Sequence, residues 1–306
     1  PFYTYSEFGD VIDSVVVAAT DSLIRDNIMY YSPVVDYEIH RFITPYGINL
    51  DLGPDGFTWV EDVSDFEPLL HGNVNLRAGN QQELIDLKFL FIKGTPARTV
   101  KSVQTLWSSG GNYVDIVNHK SISEIEITPN KNATMFKAKT RASGHGFAGP
   151  ANTDNCSEFC KRHHRLYVGL EGQIVWEGWK ECGDNPVFPQ GGTWQIDRSD
   201  WCPGATVNTY DHEITTFVTP GVSTEMDYEI DNPSQFVPYG NYIFTGYMIG
   251  YGNPNFVNDA SIERIISPSI DQEYGRLNPS CTGPVILIKN NGSEELSSLN
   301  IEYGVL

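Results

Sequence analysis

The chain has 306 residues, 40% of them hydrophobic, and carries 39 acidic against 20 basic side chains for a formal charge of -19. The longest basic cluster is Lys161-Arg162-His163-His164-Arg165, which argues against nucleic acid and anionic membrane surfaces as partners. No apolar run approaches the ~20 residues needed to span a bilayer, and Pro1-Phe2-Tyr3 has no positive segment leading into an apolar stretch, so any export signal is expected to have been removed already. In chain order, short alternating segments rich in Val, Ile, Tyr, Phe and Thr predict strands at 11–18, 87–92, 123–127, 166–169, 213–218 and 242–249. Further strands are predicted at 284–289 and 299–303, flanking the hairpin signal Asn290-Asn291-Gly292-Ser293. Nothing holds a 3.6-residue apolar period over three turns, so the chain reads as all-β.

Two boundaries divide it. Gly94-Thr95-Pro96-Ala97-Arg98 reads as a short stiff linker, and Gly250-Tyr251-Gly252-Asn253-Pro254 ends a second strand-rich block. The resulting units are 1–95, 96–252 and an additional β segment at 253–306 that is short for a sandwich and is expected to lead into a further domain.

The five cysteines, at 156, 160, 182, 202 and 281, allow two disulfides and leave one sulfur over, a pattern of an oxidising, exported compartment. Metal-binding pairs usually come as Cys-x-x-Cys, a spacing absent here, although sequence alone leaves a zinc site open. In Cys156-Ser157-Glu158-Phe159-Cys160 a bond between the two cysteines would close a small ring and hold Glu158 in one orientation before a ligand arrives. The alternative is a loop staple with an incidental acid.

Several stretches occur in a recognisable order: Tyr37-Glu38-Ile39-His40-Arg41-Phe42-Ile43-Thr44-Pro45-Tyr46, Asp62-Val63-Ser64-Asp65-Phe66, Gly94-Thr95-Pro96, Ser143-Gly144-His145-Gly146, the Cys156 to Cys160 pentapeptide, and Asp197-Arg198-Ser199-Asp200-Trp201-Cys202-Pro203-Gly204. Over about 250 residues the chain thus resembles the peptide-N-glycosidase F family. The resemblance implies two tandem jelly-roll β-sandwich domains at 1–95 and 96–252, and disulfides Cys156 to Cys160 and Cys182 to Cys202, leaving Cys281 a buried thiol or paired outside the chain. It also implies an N-glycan or glycoprotein in the cleft between the domains, with cleavage of the amide joining the first sugar to asparagine. Glu158 matches the assisting glutamate. Arg198 and Trp201 match residues near the same cleft, where a guanidinium binds carboxylate or sugar oxygens and an indole packs on a pyranose face.

The chain departs from the family at the principal carboxylate. The family's Cys-Asp-x-Trp-Asp-Arg aligns with Thr20-Asp21-Ser22-Leu23-Ile24-Arg25, which puts Ile24 at the catalytic aspartate, Leu23 at the sugar-facing tryptophan and Arg25 at the arginine. An isoleucine neither activates water nor donates a proton. Asp21, Asp26 and Glu83 are the candidates to compensate; Gln81 or Glu83 takes the place of a further family glutamate, and His145 that of a tryptophan. The expected glycan-binding set is Arg25, Gln81, His145, Arg198 and Trp201. Trp176, Trp179 and Trp194 form either a sugar platform or, for two of the three, core.

The paired jelly rolls also resemble copper-dependent peptidylglycine monooxygenases. His163-His164 is the one adjacent histidine pair, but neighbouring strand residues face opposite ways, so neither a metal nor another cofactor is expected. The tail from Arg276 to Val305 resembles a segment of large exported Bacteroidetes proteins that use type IX secretion. The resulting expectation is an exported protein on the outer face of a Gram-negative cell, a catalytically silent binding or structural module with N-glycans, surface proteins or secretion machinery as partners. The alternatives are an active N-glycan amidase and, remotely, a copper monooxygenase.

Overall fold

The computed structural model describes residues 2–16, 35–54, 56–79, 84–146, 156–183, 185, 187–231, 239–268 and 283–304. The chain divides into two compact units, 1–37 and 38–306. In the first, β1 (Phe2–Tyr5) and β2 (Val11–Val15) pair antiparallel around a turn. Ser6 Oγ accepts the Phe8 and Asp10 amides there, and Gly9 takes φ 86°, a conformation that costs a glycine nothing.

The second unit is built on an eight-stranded antiparallel β-sandwich, so the all-β reading holds. One sheet runs β3 (Arg98–Asn112), β10 (Asn241–Pro254), β5 (Met135–His145), β8 (Thr209–Glu213); the other runs β4 (Ile125–Ile127), β9 (Thr224–Ile230), β6 (Arg162–Val168), β7 (Gly172–Gly178). β6 and β9 alternate buried and partly exposed positions at every step, the pleat of a sheet packed on one face. Leu166, Val168, Met226, Tyr228 and Ile230 from that sheet meet Phe136, Ala138, Tyr242, Phe244 and Met248 from the other. At about 1.5–3 kcal/mol for each large apolar side chain fully buried, this inter-sheet layer is the main source of stability.

β10 is buried on both faces over most of its length. The reason is the segment beyond Glu38, which lies on the sheet's outer face: the Glu38 amide donates to Tyr247 Oη at 2.7 Å, Phe66 meets the Tyr247 ring edge-on at 5.5 Å, and Tyr251 Oη donates to Asp65 at 2.6 Å. On β5 the outward positions Lys137, Lys139 and Arg141 form a ladder of cations two residues apart. Each meets acid: Lys137 and Lys139 reach Asp211, Lys139 also reaches Asp65 at 3.0 Å, and Arg141 reaches Glu38 at 3.0 Å. Burial works against the charge of Lys139, but Asp211 and Asp65 outweigh it and raise its pKa.

Three strand expectations are corrected. The predicted strand at 213–218 ends at Glu213; Thr215–Phe217 forms a 3₁₀ turn, because the Ile214 amide closes onto Phe136 O and the Phe217 amide onto Ile214 O. Residues 87–92 take no strand: among the described residues they have no pairing partner, and Leu90, Phe91 and Ile92 stand exposed. The tail strand β12 (Val285–Asn290) pairs with β11 (Ala260–Ser267) and not with 299–303. Asn291, Ser293 and Glu294 donate to carbonyls of Asp259, Phe256 and Val257, which turns the chain away from a hairpin.

Candidate functional site

The end of β5 and two disulfide-tied loops build one polar constellation. Cys156 is bonded to Cys160, with Cα atoms 5.6 Å apart, and Cys182 to Cys202, with 5.5 Å. The small ring carries Glu158 at its centre. Glu158 Oε2 accepts the Gly146 amide at 2.9 Å and Oε1 accepts Arg198 Nε at 3.1 Å, while the Ser199 amide donates to the Glu158 carbonyl at 2.9 Å. Both carboxylate oxygens are therefore occupied by donors.

Arg198 is completely buried. Its Nη2 donates to Thr193 O at 2.8 Å and Thr193 Oγ1 at 2.9 Å, Nη1 donates to Ile196 O, and the guanidinium lies 4.9 Å from the Trp201 ring, 5.0 Å from Phe159 and 5.8 Å from Tyr46. A delocalised, weakly hydrated guanidinium suits such an aromatic box. Trp201 is only 4% exposed and donates its Nε1–H to Gly144 O at 2.6 Å. Arg198 and Trp201 are thus internal struts behind Glu158 in the described structure.

His145, on the neighbouring wall, lies 5.0 Å from the Trp201 ring, and its Nε2 is 3.0 Å from Ser143 Oγ. Arg41 Nη1 donates to the same Oγ at 3.0 Å, and an arginine can only donate. The serine hydroxyl, with one hydrogen and two lone pairs, can accept from Arg41 and still either donate to or accept from His145 Nε2. Burial lowers the His145 pKa; Glu158 pulls it up and Arg41 pushes it further down. Arg41 is itself held by Glu38 Oε2 at 2.8 Å, and residues 41–43 form a bridge with 204–207, so this wall is tied into the sandwich.

The structure thus gathers Glu158, His145, Arg198 and Trp201. Asp21, Leu23, Ile24, Arg25, Asp26, Gln81, Glu83 and Cys281 lie outside the described residues. Sequence reasoning missed Ser143, Arg41, Glu38 and Arg141 as members of the wall; the i, i+2 basic alternation on β5 marks Arg141 alone among them.

His163 and His164 point to opposite faces. His163 is exposed and sits 2.9 Å from Asp231, while His164 is fully buried with Nδ1 2.5 Å from Tyr228 Oη. Trp176 stacks on His164 at 5.4 Å, and Lys161 Nζ lies 5.5 Å over Trp179. On the outer face His119 lies 3.5 Å from Asp227 and 3.8 Å from Glu229, with those carboxylates also accepting from the Tyr228 amide and Tyr167 Oη. This cluster is a surface group of one imidazole and two carboxylates.

Residues 112–249 match the family described as Peptide-N-glycosidase F, C terminal. The chain is 31% identical over 186 residues to peptide-N(4)-(N-acetyl-beta-D-glucosaminyl)asparagine amidase F of Elizabethkingia miricola, an alignment covering 56% of this chain and 52% of that one. It therefore spans about half the length of the curated relative it matches. Among solved structures, PNGF-II superposes with a TM-score of 0.50 at 14% identity over 71% of this chain and 45% of that one, a likeness of fold. PNGase F, a glycosylasparaginase from Flavobacterium meningosepticum, superposes at 0.45 with 22% identity over 53% and 55%. Over residues 112–249, where the sandwich and both stapled loops lie, the chain is related to the C-terminal domain of the peptide-N-glycosidase F family.

Proposed function

We propose that this chain is an exported, surface-located N-glycan-binding module that keeps the stapled cleft of its relatives and does not cleave the glycosyl-asparagine bond. The observation that carries this reading is the Glu158 carboxylate, both of whose oxygens are taken up by Gly146 and Arg198. A carboxylate held in place by a buried guanidinium and a backbone amide keeps further lone pairs on both oxygens and is a preorganised acceptor for sugar hydroxyls. Among the described residues no second carboxylate touches it, and Ile24 aligns with the aspartate that does the chemistry in the family.

The two disulfides support an oxidising compartment. Among the described residues no helix is long and apolar enough to cross a membrane. The second reading, an amidase with Glu158 assisting and Asp21, Asp26 or Glu83 as principal carboxylate, draws on the same preorganisation of Glu158. Calorimetric titration with an N-glycopeptide, run beside a glycan-release assay on a reduced, denatured glycoprotein, separates the two. Saturable binding that weakens at least ~10-fold in Glu158→Gln, with no release, is expected. Robust release by the unmodified protein would overturn the silent reading, and absence of glycopeptide binding would overturn the binding one.

A further inference from the structure

The outer face of the second sheet carries a polar group that shares no residue with the Glu158 constellation. Along β9 the buried positions alternate with Glu225, Asp227, Glu229 and Asp231, so every side chain turned away from the core there is acidic. Glu126 on β4 stands directly opposite Glu225 and adds to the negative potential of the face. The cations close by are committed elsewhere. Arg165, across from Glu229 in the register, gives its guanidinium to Asp231 at 2.6 Å, and Lys120 lies 3.9 Å from Asp115. Among the described residues no lysine or arginine lies within ion-pair distance of Asp227 or Glu229.

His119 reaches this face from a distant part of the chain. The short helix α1 (Tyr113–Val117) ends before it, and His119 takes a left-handed φ of 53° with its amide bonded to Ile116 O at 2.9 Å. The imidazole then lies with Nδ1 3.5 Å from Asp227 Oδ1 and Nε2 3.8 Å from Glu229 Oε1. Both distances exceed those of a hydrogen bond, and the ring makes none among the described residues. They lie close to the separation of about 3.3–3.6 Å between two ligands of a tetrahedral ion whose bonds are about 2.0–2.2 Å long. One ligand atom from each of the three side chains lies within 4.8 Å of the other two, a span that small χ rotations close.

The two carboxylates are oriented by donors of their own. Tyr167 Oη donates to Glu229 Oε2 at 2.9 Å, which leaves Oε1 toward His119. Gln173 Nε2 donates in turn to the Tyr167 oxygen at 3.4 Å, so the phenol hydrogen stays with Glu229. Asp227 Oδ1 accepts the Tyr228 amide at 2.8 Å and keeps a further lone pair. Such outer partners fix ligand geometry before an ion arrives. The side chains of His119, Asp227 and Glu229 are 41%, 22% and 39% exposed, so an ion reaches them directly from solvent and keeps water on its open side.

We propose that His119, Asp227 and Glu229 bind one divalent transition-metal ion of the zinc type, with water completing its shell. A neutral imidazole supplies one nitrogen lone pair, and the two carboxylates carry the negative charge that a divalent ion cancels. The nitrogen ligand is what separates this group from the rest of the acidic face. Calcium and magnesium take oxygen ligands and gain nothing from an imidazole, whereas zinc-type ions favour it. The bound ion ties the turn after α1 to the middle of β9, two segments otherwise far apart in sequence. The proposal is independent of the glycan reading.

The test is calorimetric titration of the disulfide-intact chain with zinc chloride, carried out on Cys281→Ser so that the odd thiol does not compete for zinc. One ion per chain is expected, with affinity at least ~10-fold weaker in His119→Gln and in Asp227→Asn, unchanged in His163→Gln, and little affected by a large excess of magnesium. A second measurement needs no ligand variant: in NMR spectra, substoichiometric paramagnetic cobalt(II) should broaden the amides of His119, Asp227 and Glu229 before any others. Lack of saturable zinc binding up to about 1 mM, an affinity unchanged in His119→Gln, displacement by magnesium, or cobalt broadening centred on His163 and Asp231 would each overturn the proposal.

Discussion

Glu158 and Arg198 meet at 3.1 Å, and neither is free to leave the other. The carboxylate is held within the Cys156 to Cys160 ring, and the guanidinium is sealed in a box of Trp201, Phe159 and Tyr46 between the cysteines of the second disulfide. The pair therefore joins two loops that are far apart in sequence and leaves Glu158 15% exposed. Its rigidity comes from covalent staples and burial together.

Breaking that pair from the buried side is expected to be expensive. Arg198→Met leaves Glu158 without its cation and three backbone or hydroxyl acceptors without a donor, a loss of about 3–5 kcal/mol. Urea unfolding followed by tryptophan fluorescence measures it. A loss under about 1 kcal/mol would mean that the box, and not the charge, holds the loops.

The Cys182 to Cys202 bridge closes a loop of 20 residues. In the chain-entropy model it contributes ~3 kcal/mol, whereas the small ring mainly orients Glu158. The double variant Cys182→Ser, Cys202→Ser should lose roughly that stability, and Cys156→Ser, Cys160→Ser less stability but more glycopeptide affinity. Denaturation curves and titrations on both variants decide the order.

Docking of the segment beyond Glu38 depends on the cation ladder of β5. Asp65→Asn removes a carboxylate shared by Lys139 Nζ and Tyr251 Oη, and is expected to cost about 1.5–3 kcal/mol. Limited proteolysis should then cut within 38–66 sooner than in the unmodified protein. Equal cleavage rates would show that Phe66 and its apolar neighbours suffice.

Stability is expected to respond to pH through His212, which is partly buried, and the buried Asp200. His212 is lowered to about 4 by burial, against an opposing pull from Asp211. Its folded pKa lies below the unfolded value near 6.5, so the unfolded chain takes the proton first, and its contribution is intact above pH 6.5 and lost as pH falls toward 4. The slope is up to about 1.4 kcal/mol per pH unit. Asp200, raised to about 7 chiefly by burial, has the opposite sign: its contribution is full below its unfolded value near 4 and is lost as pH rises through 7. Unfolding free energies at several pH values from 4 to 8 should therefore show a shallower acid limb in His212→Gln and a steeper one in Asp200→Asn.

Much was legible from the residues themselves. Alternation and the abundance of turn formers make 98–254 all-β, because the period of two is a local property of the pleat, and it put His163 and His164 on opposite faces for the same reason. The order of motifs around Cys156 and Asp197 placed both disulfides and put Glu158 in the small ring. What only the tertiary structure decided is partnership. No local signal says that Arg198 spends its charge inside an aromatic box, that Arg41 reaches across to Ser143 beside His145, or that Gly178 packs directly against His164 and Asp200. Nor does one say that β12 pairs backwards with β11 instead of forward with 299–303. Burial and strand pairing join residues distant in sequence, and their energies depend on which surfaces meet, which a period or a spacing does not encode.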